Sequence, residues 1–119
     1  SNSTVSKKDP NVYLAHARDC CARVIEYTQD GPSSLFHDQK TQDAVLRNLE
    51  IISQCFKDAN LTQLETEYPN VPWRDIAAFR NILAHAYLGV ELKIVWDIIE
   101  HQVQPLFAQL NQILKNWNP

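Results

Sequence analysis

Methionine is absent from the 119 residues, and glycine occurs only twice. Two glycines and six prolines are too few for the many turns of a β-sandwich. Long stretches free of both favour helices. Cysteine is scarce and odd in number, with Cys20, Cys21 and Cys55. Adjacent Cys20 and Cys21 cannot readily pair with each other, and no CxxC spacing suggests zinc. The expectation is buried, reduced thiols in a reducing cytoplasm. No apolar run approaches the ~20 residues that span a bilayer, and no signal peptide is visible, so no membrane association is expected. Positive charge is also short: 11 Lys and Arg face 14 Asp and Glu, for a net charge of -3 and a pI near 5.7. Broad electrostatic attraction to nucleic acid needs a basic face. A polyanion must instead be gripped by a few focused Arg or Lys residues, or across a subunit interface.

What remains is an ordinary folded composition, 45% hydrophobic and 21% charged, of a length that fits one domain with one modest core. Residues 1–9 read as a polar, disordered lead-in. Within it, Ser1 and Asn2 are expected to be a cloning remnant, because no Met precedes them. Residues 10–119 read as a single helical domain.

Asp9-Pro10 resembles a helix start, with Asp as cap and Pro at the first helical position. Leu14, Ala17, Cys21, Val24, Ile25 and Thr28 follow as one apolar stripe. His16 falls at its edge and reads as a surface histidine. Gly31-Pro32-Ser33-Ser34 opens a turn. A second helix is expected from near Ser34 to about Ala59, its broad stripe implying contact with more than one neighbour. Beside that stripe, Arg47-Asn48 reads either as solvated or as the lining of a cleft. Asn60 to Pro72 is expected to be a connector docked by Leu61 and Leu64. A third helix then runs from Pro72-Trp73 to a stop at Gly89. The last helix spans about Val90 to Trp117, and Pro105 should kink it. No strand pattern occurs. Periodicity therefore predicts an all-α, antiparallel up-and-down helical bundle with a kinked C-terminal helix.

One stretch stands apart. Arg80-Asn81-Ile82-Leu83-Ala84-His85-Ala86-Tyr87 puts a guanidinium, an amide, an imidazole and a phenol into eight residues of an otherwise apolar pattern. At about 100° per residue, Arg80 and Tyr87 share a face, while His85 lies roughly 140° from Arg80. The two converge if the helix loosens, if Arg80 reaches around, or if a second subunit brings its own copy. An Arg and a His without a metal cage suit phosphoryl chemistry on RNA. His can move a proton to or from the 2'-hydroxyl or the leaving oxygen. Arg can hold the phosphate and stabilise developing charge. Asn81 can orient the imidazole or donate to a phosphate oxygen. The bland alternative is that Arg80 pairs with a carboxylate, His85 caps a helix end and Tyr87 packs at the rim.

Arg80-Asn81-x-x-x-His85-x-Tyr87 resembles the Arg-x4-His-x-Tyr motif of HEPN-domain toxins of the HepT type. The flanking segments agree in order: TQDAVLRNLEII at 41–52, PNVPWRD at 69–75, IAAFRNILAHAY at 76–87 and VELKIVW at 90–96. The resemblance extends from about residue 12 to 110. Ile52-Ser53-Gln54-Cys55-Phe56 departs from the small-residue version of that helix. What the resemblance implies is a HEPN-like bundle, usually a homodimer whose two motifs face a shared cleft. It further implies a metal-independent endoribonuclease toxin, with RNA rather than DNA as substrate and no cofactor. The implied partner is an MntA-type nucleotidyltransferase antitoxin, which silences the toxin by transferring AMP to the motif tyrosine. On that reading Arg80 and His85 are catalytic, Asn81 supports them and Tyr87 accepts AMP. The alternative is a non-catalytic HEPN module that docks a nucleotidyltransferase and binds nucleotide or presents a substrate. A metal-binding four-helix bundle fits poorly: the paired Glu-x-x-His sets of that class are missing, and His16, His37, His85 and His101 lack close ligand spacing.

Overall fold

The computed structural model describes residues 9–86, 88 and 92–119. The first helix, α1 (Pro10–Tyr27), starts where the Asp-Pro pair predicts. The Asp9 carboxylate accepts from the backbone N–H of Asn11 at 2.9 Å, and Pro10 occupies the first turn. Gly31, at φ +103°, makes the following turn. Beyond it the expected single second helix is two: α2 (Ser33–His37) and α3 (Gln39–Asp58). Asp38 between them is extended, at φ -120° and ψ 113°, so the apolar positions around Leu35 and Ala44 belong to different helices.

The expected connector contains a short helix, α4 (Leu61–Glu67), capped by Asn60, whose side chain accepts from the N–H of Gln63 at 3.1 Å. The third helix is also split, into α5 (Trp73–Ala77) and α6 (Phe79–Ala86) around Ala78. Its expected stop, Gly89, and the expected start of the last helix, Val90, lie outside the described residues, as does the lead-in through Lys8. The last run comprises α7 (Leu92–Ile98), a π-helical turn (Ile99–Val103) and α8 (Gln104–Ile113). The predicted interruption therefore falls just ahead of Pro105. Proline cannot donate to the carbonyl four residues back, and the widened turn lets the Gln104 N–H donate to Ile99 instead.

The described residues are helical without strands, an all-α HEPN-like bundle. The start of α1 (Val12, Tyr13) shares a groove with the end of α3 (Cys55, Asp58), so the two run antiparallel. Near the chain's end, the Trp117 indole N–H donates to Asp9 at 3.1 Å, which lays α8 antiparallel to α1. One core runs from Leu14 to Leu114. Each large side chain fully buried there is worth about 1.5–3 kcal/mol. Trp73 and Phe56 meet edge to face with ring centroids 5.0 Å apart, and the Trp73 indole N–H donates to the Tyr68 carbonyl at 2.9 Å. This joint clamps the start of α5 to α3 and so fixes where α6 emerges.

Candidate active site

Arg80, Asn81 and His85 lie on the outer side of α6. Phe79, Leu83 and Ala86 are buried at steps of four and three, which sets the roll of the helix. Arg80, Asn81 and His85 are left exposed on the remaining face. Tyr87 lies outside the described residues.

Arg80 turns toward α3, and its Nη1 donates to Oε1 of Gln54 at 3.2 Å. The neighbouring Ser53, fully buried, donates its hydroxyl to the Ala77 carbonyl at 2.7 Å. Two adjacent residues of α3 thus hold the α5–α6 junction and the guanidinium that follows it. Among the described residues Arg80 enters no ion pair, whereas Arg47 pairs with Glu50 at 2.6 Å and Arg74 with Glu65 at 2.9 Å. An Arg held through a neutral amide keeps its charge for an incoming anion.

His85, in the last turn of α6, borders a hollow of about 220 Å³ together with Asn81, Ile82 and Ile94 of α7. Arg80 borders two others. One is a groove of about 600 Å³ between α1 and α3, whose walls include Tyr13, His16, Arg47 and Ile51. The other, of about 370 Å³, lies between the end of α3 and the α5–α6 junction. Within one chain Arg80 and His85 therefore open onto different hollows, in keeping with their angular separation on an ideal helix. Asn81 lines the hollow on either side and links them.

The open reading of Arg47-Asn48 divides. Arg47 does line the α1–α3 groove, but Asn48 is buried and donates to the Ala44 carbonyl at 2.8 Å. His16, read as a surface residue, is exposed and also borders that groove. Lys57, at the end of α3, was not singled out by sequence. It shares the 370 Å³ hollow with Arg74 and Arg80, and only the packing of α5 on α3 brings it there.

The thiols offer no nucleophile at neutral pH. All three are free and buried. Burial, chiefly, pushes Cys21 up to about 12 and Cys55 up to about 11. Burial also raises Cys20, opposed by the Arg23 guanidinium, whose Nη1 lies 3.8 Å from its sulfur. Among the described residues, no group of three or more His, Cys, Asp or Glu is placed to hold a metal ion.

The family described as "Ribonuclease HepT-like" matches residues 17–113. "Putative RNase MJ0127" of Methanocaldococcus jannaschii is 35% identical over 112 residues, covering 92% of this chain and 91% of that protein. "Probable ribonuclease HepT" of Thermococcus cleftensis is 30% identical over 110 residues, covering 92% and 99%. "Gamma-glutamylcyclotransferase and putative RNase MJ0434" of M. jannaschii is 31% identical over 110 residues, 92% of this chain but only 49% of that longer protein. No solved structure matches. The family match takes in α3, α5 and α6 whole, with the Arg80–His85 face they position, and on it the chain belongs to the HepT-like ribonuclease family.

Proposed function

We propose that residues 10–119 form a single HEPN-like domain acting as a metal-independent endoribonuclease, the toxin of a toxin–antitoxin pair. The observation that carries this reading is the exposure of Arg80, Asn81 and His85 on one helix of a HepT-like chain, with Arg80 free of any ion pair among the described residues. The relatives named as ribonucleases support RNA as the substrate.

In this reading His85 takes the proton of a 2'-hydroxyl as its oxygen bonds to the adjacent phosphorus. The bond from phosphorus to the 5'-oxygen breaks, and that oxygen leaves with the proton that the His85 imidazolium returns. The products are a 2',3'-cyclic phosphate and a 5'-hydroxyl. Arg80 holds the non-bridging oxygens as charge builds on them, and Asn81 positions the phosphate between the two. Since Arg80 and His85 open onto different hollows, two copies of the motif across a homodimer cleft complete the site. Support for that pairing comes from the surroundings of His85. Leu88 is 76% exposed and Ile94 43% exposed. The Leu88 N–H donates to the His85 carbonyl at 3.0 Å, and Ile94 lines the His85 hollow. A partner copy seated on this side of α6 would cover both. Tyr87 is the proposed acceptor of AMP from a cognate nucleotidyltransferase. The bulky anion would occupy the cleft and compete with RNA phosphate.

The test is cleavage of a mixed tRNA and mRNA pool in chelator by wild type, His85→Ala and Arg80→Ala, each first weighed for added AMP. Loss of the general acid–base group is expected to slow cleavage about 10²–10⁴-fold, and loss of the Arg about 10²–10³-fold. Both side chains are exposed, so circular dichroism and melting should stay near wild type. Cleavage that needs added magnesium, or that survives in His85→Ala, overturns the reading. Silence of unmodified wild type would favour the nucleotidyltransferase-docking module.

A further inference from the structure

The 370 Å³ hollow between the end of α3 and the α5–α6 junction is lined by Lys57, Leu61, Arg74, Ala77, Ala78, Arg80 and Asn81. Its charged lining is wholly cationic in a chain of net charge -3. Arg74 is partly neutralised by Glu65 at 2.9 Å. Lys57 and Arg80 enter no ion pair among the described residues, and both are exposed. The larger α1–α3 groove contrasts with it, because there Glu50 and Asp58 balance Arg47 and Arg80. An anion therefore favours the smaller hollow. Ala77 and Ala78 complete its lining with small side chains. Through Asn81 it adjoins the hollow of His85.

We propose that this hollow is a second phosphate subsite, where Lys57, with Arg80 and Arg74, holds a backbone phosphate of the RNA next to the one that is cut. The proposal rests on the ribonuclease reading and extends it. The strand passes from Lys57 over Arg80 and Asn81 into the cleft where the two copies of the motif meet, and Lys57 sets its register without touching the reacting atoms. A phosphate contact of this kind carries no sequence information, so it strengthens binding to any single strand alike. Arg80 serves both phosphates, since it lines this hollow and belongs to the proposed cleavage site.

The experiment uses the full chain. Binding of labelled single-stranded RNA oligonucleotides of two unrelated sequences is measured in a His85→Ala background, with and without Lys57→Gln, over a series of salt concentrations. Each neutralised phosphate contributes about 0.7 to the slope of log affinity against log salt for a single strand. Lys57→Gln should lower that slope by about 0.7 for both sequences, and Lys57→Arg should restore it. Arg18→Gln, which removes a cation paired with Asp19 away from the hollow, should leave it unchanged. In the cleaving protein, Lys57→Gln should raise KM by a larger factor than it lowers kcat. Wild type that binds and cleaves RNA while Lys57→Gln keeps both slope and KM overturns the subsite and leaves the ribonuclease reading standing. An equal loss in Arg18→Gln also overturns it, since the effect would then be one of net charge. Wild type that neither binds nor cleaves RNA overturns both.

Discussion

Cys21 lies on the inner side of α1 and Cys55 on that of α3, and both hold their protons far into the alkaline range, to about 12 and about 11. An unfolded chain releases the same protons from near 9.0 upward. Folding then binds more protons than unfolding, so the stability they lend is complete below that value. It is lost as pH rises through the window to about 11 for Cys55 and about 12 for Cys21. The denaturation midpoint should therefore fall with alkalinity, and more shallowly in Cys21→Ala than in wild type. Equal slopes in the two proteins would contradict the assignment. Residue types alone made Arg80, Asn81 and His85 legible, since three such groups on an apolar helix call for a reason. Gln54 and Lys57 gave no such signal. Each is an ordinary exposed polar residue until α5 and α6 pack onto α3.

Among the elements, those with a chemical start or stop were legible and those without were not. Asp9-Pro10 names a cap and a first turn, and α1 begins there. Gly31 names a turn, and its φ of +103° shows why. Nothing lies within 4 Å of where its Cβ would stand, so Gly31→Ala meets only the backbone penalty. It should destabilise the protein by about 1–2 kcal/mol, read from denaturant unfolding, and Gly31→Asn should cost less because Asn tolerates positive φ better. A loss near zero for Ala would mean that the turn relaxes. The breaks at Asp38 and Ala78 had no such marker. The apolar pattern runs on through the first, and alanine is the best helix former at the second. Seven residues of α4 are too few to show a period. Pro105 announced a disturbance but not its form, because the π-helical turn that accommodates it comes before the proline.

For the whole molecule, the sequence pointed to an all-α bundle and to a family but not to how the surface is divided. Leu88 and Ile94 are exposed apolar residues near His85, while Lys57 and Arg80, which enter no ion pair among the described residues, share the cationic hollow. If the first patch is a dimer seam, Leu88→Asp should shift the protein from dimer to monomer in sedimentation and depress RNA cleavage with it. Both Leu88 and Ile94 are exposed, so the fold should survive. A monomeric wild type, or a monomeric variant of full activity, would contradict the shared cleft. The cationic hollow has another consequence, for the approach of a substrate. With the positive charge gathered there, the rest of a chain of net charge -3 is more acidic still and turns a polyanion away. An RNA strand is thereby oriented before it touches the protein, and the rate of productive encounter falls as salt screens the field.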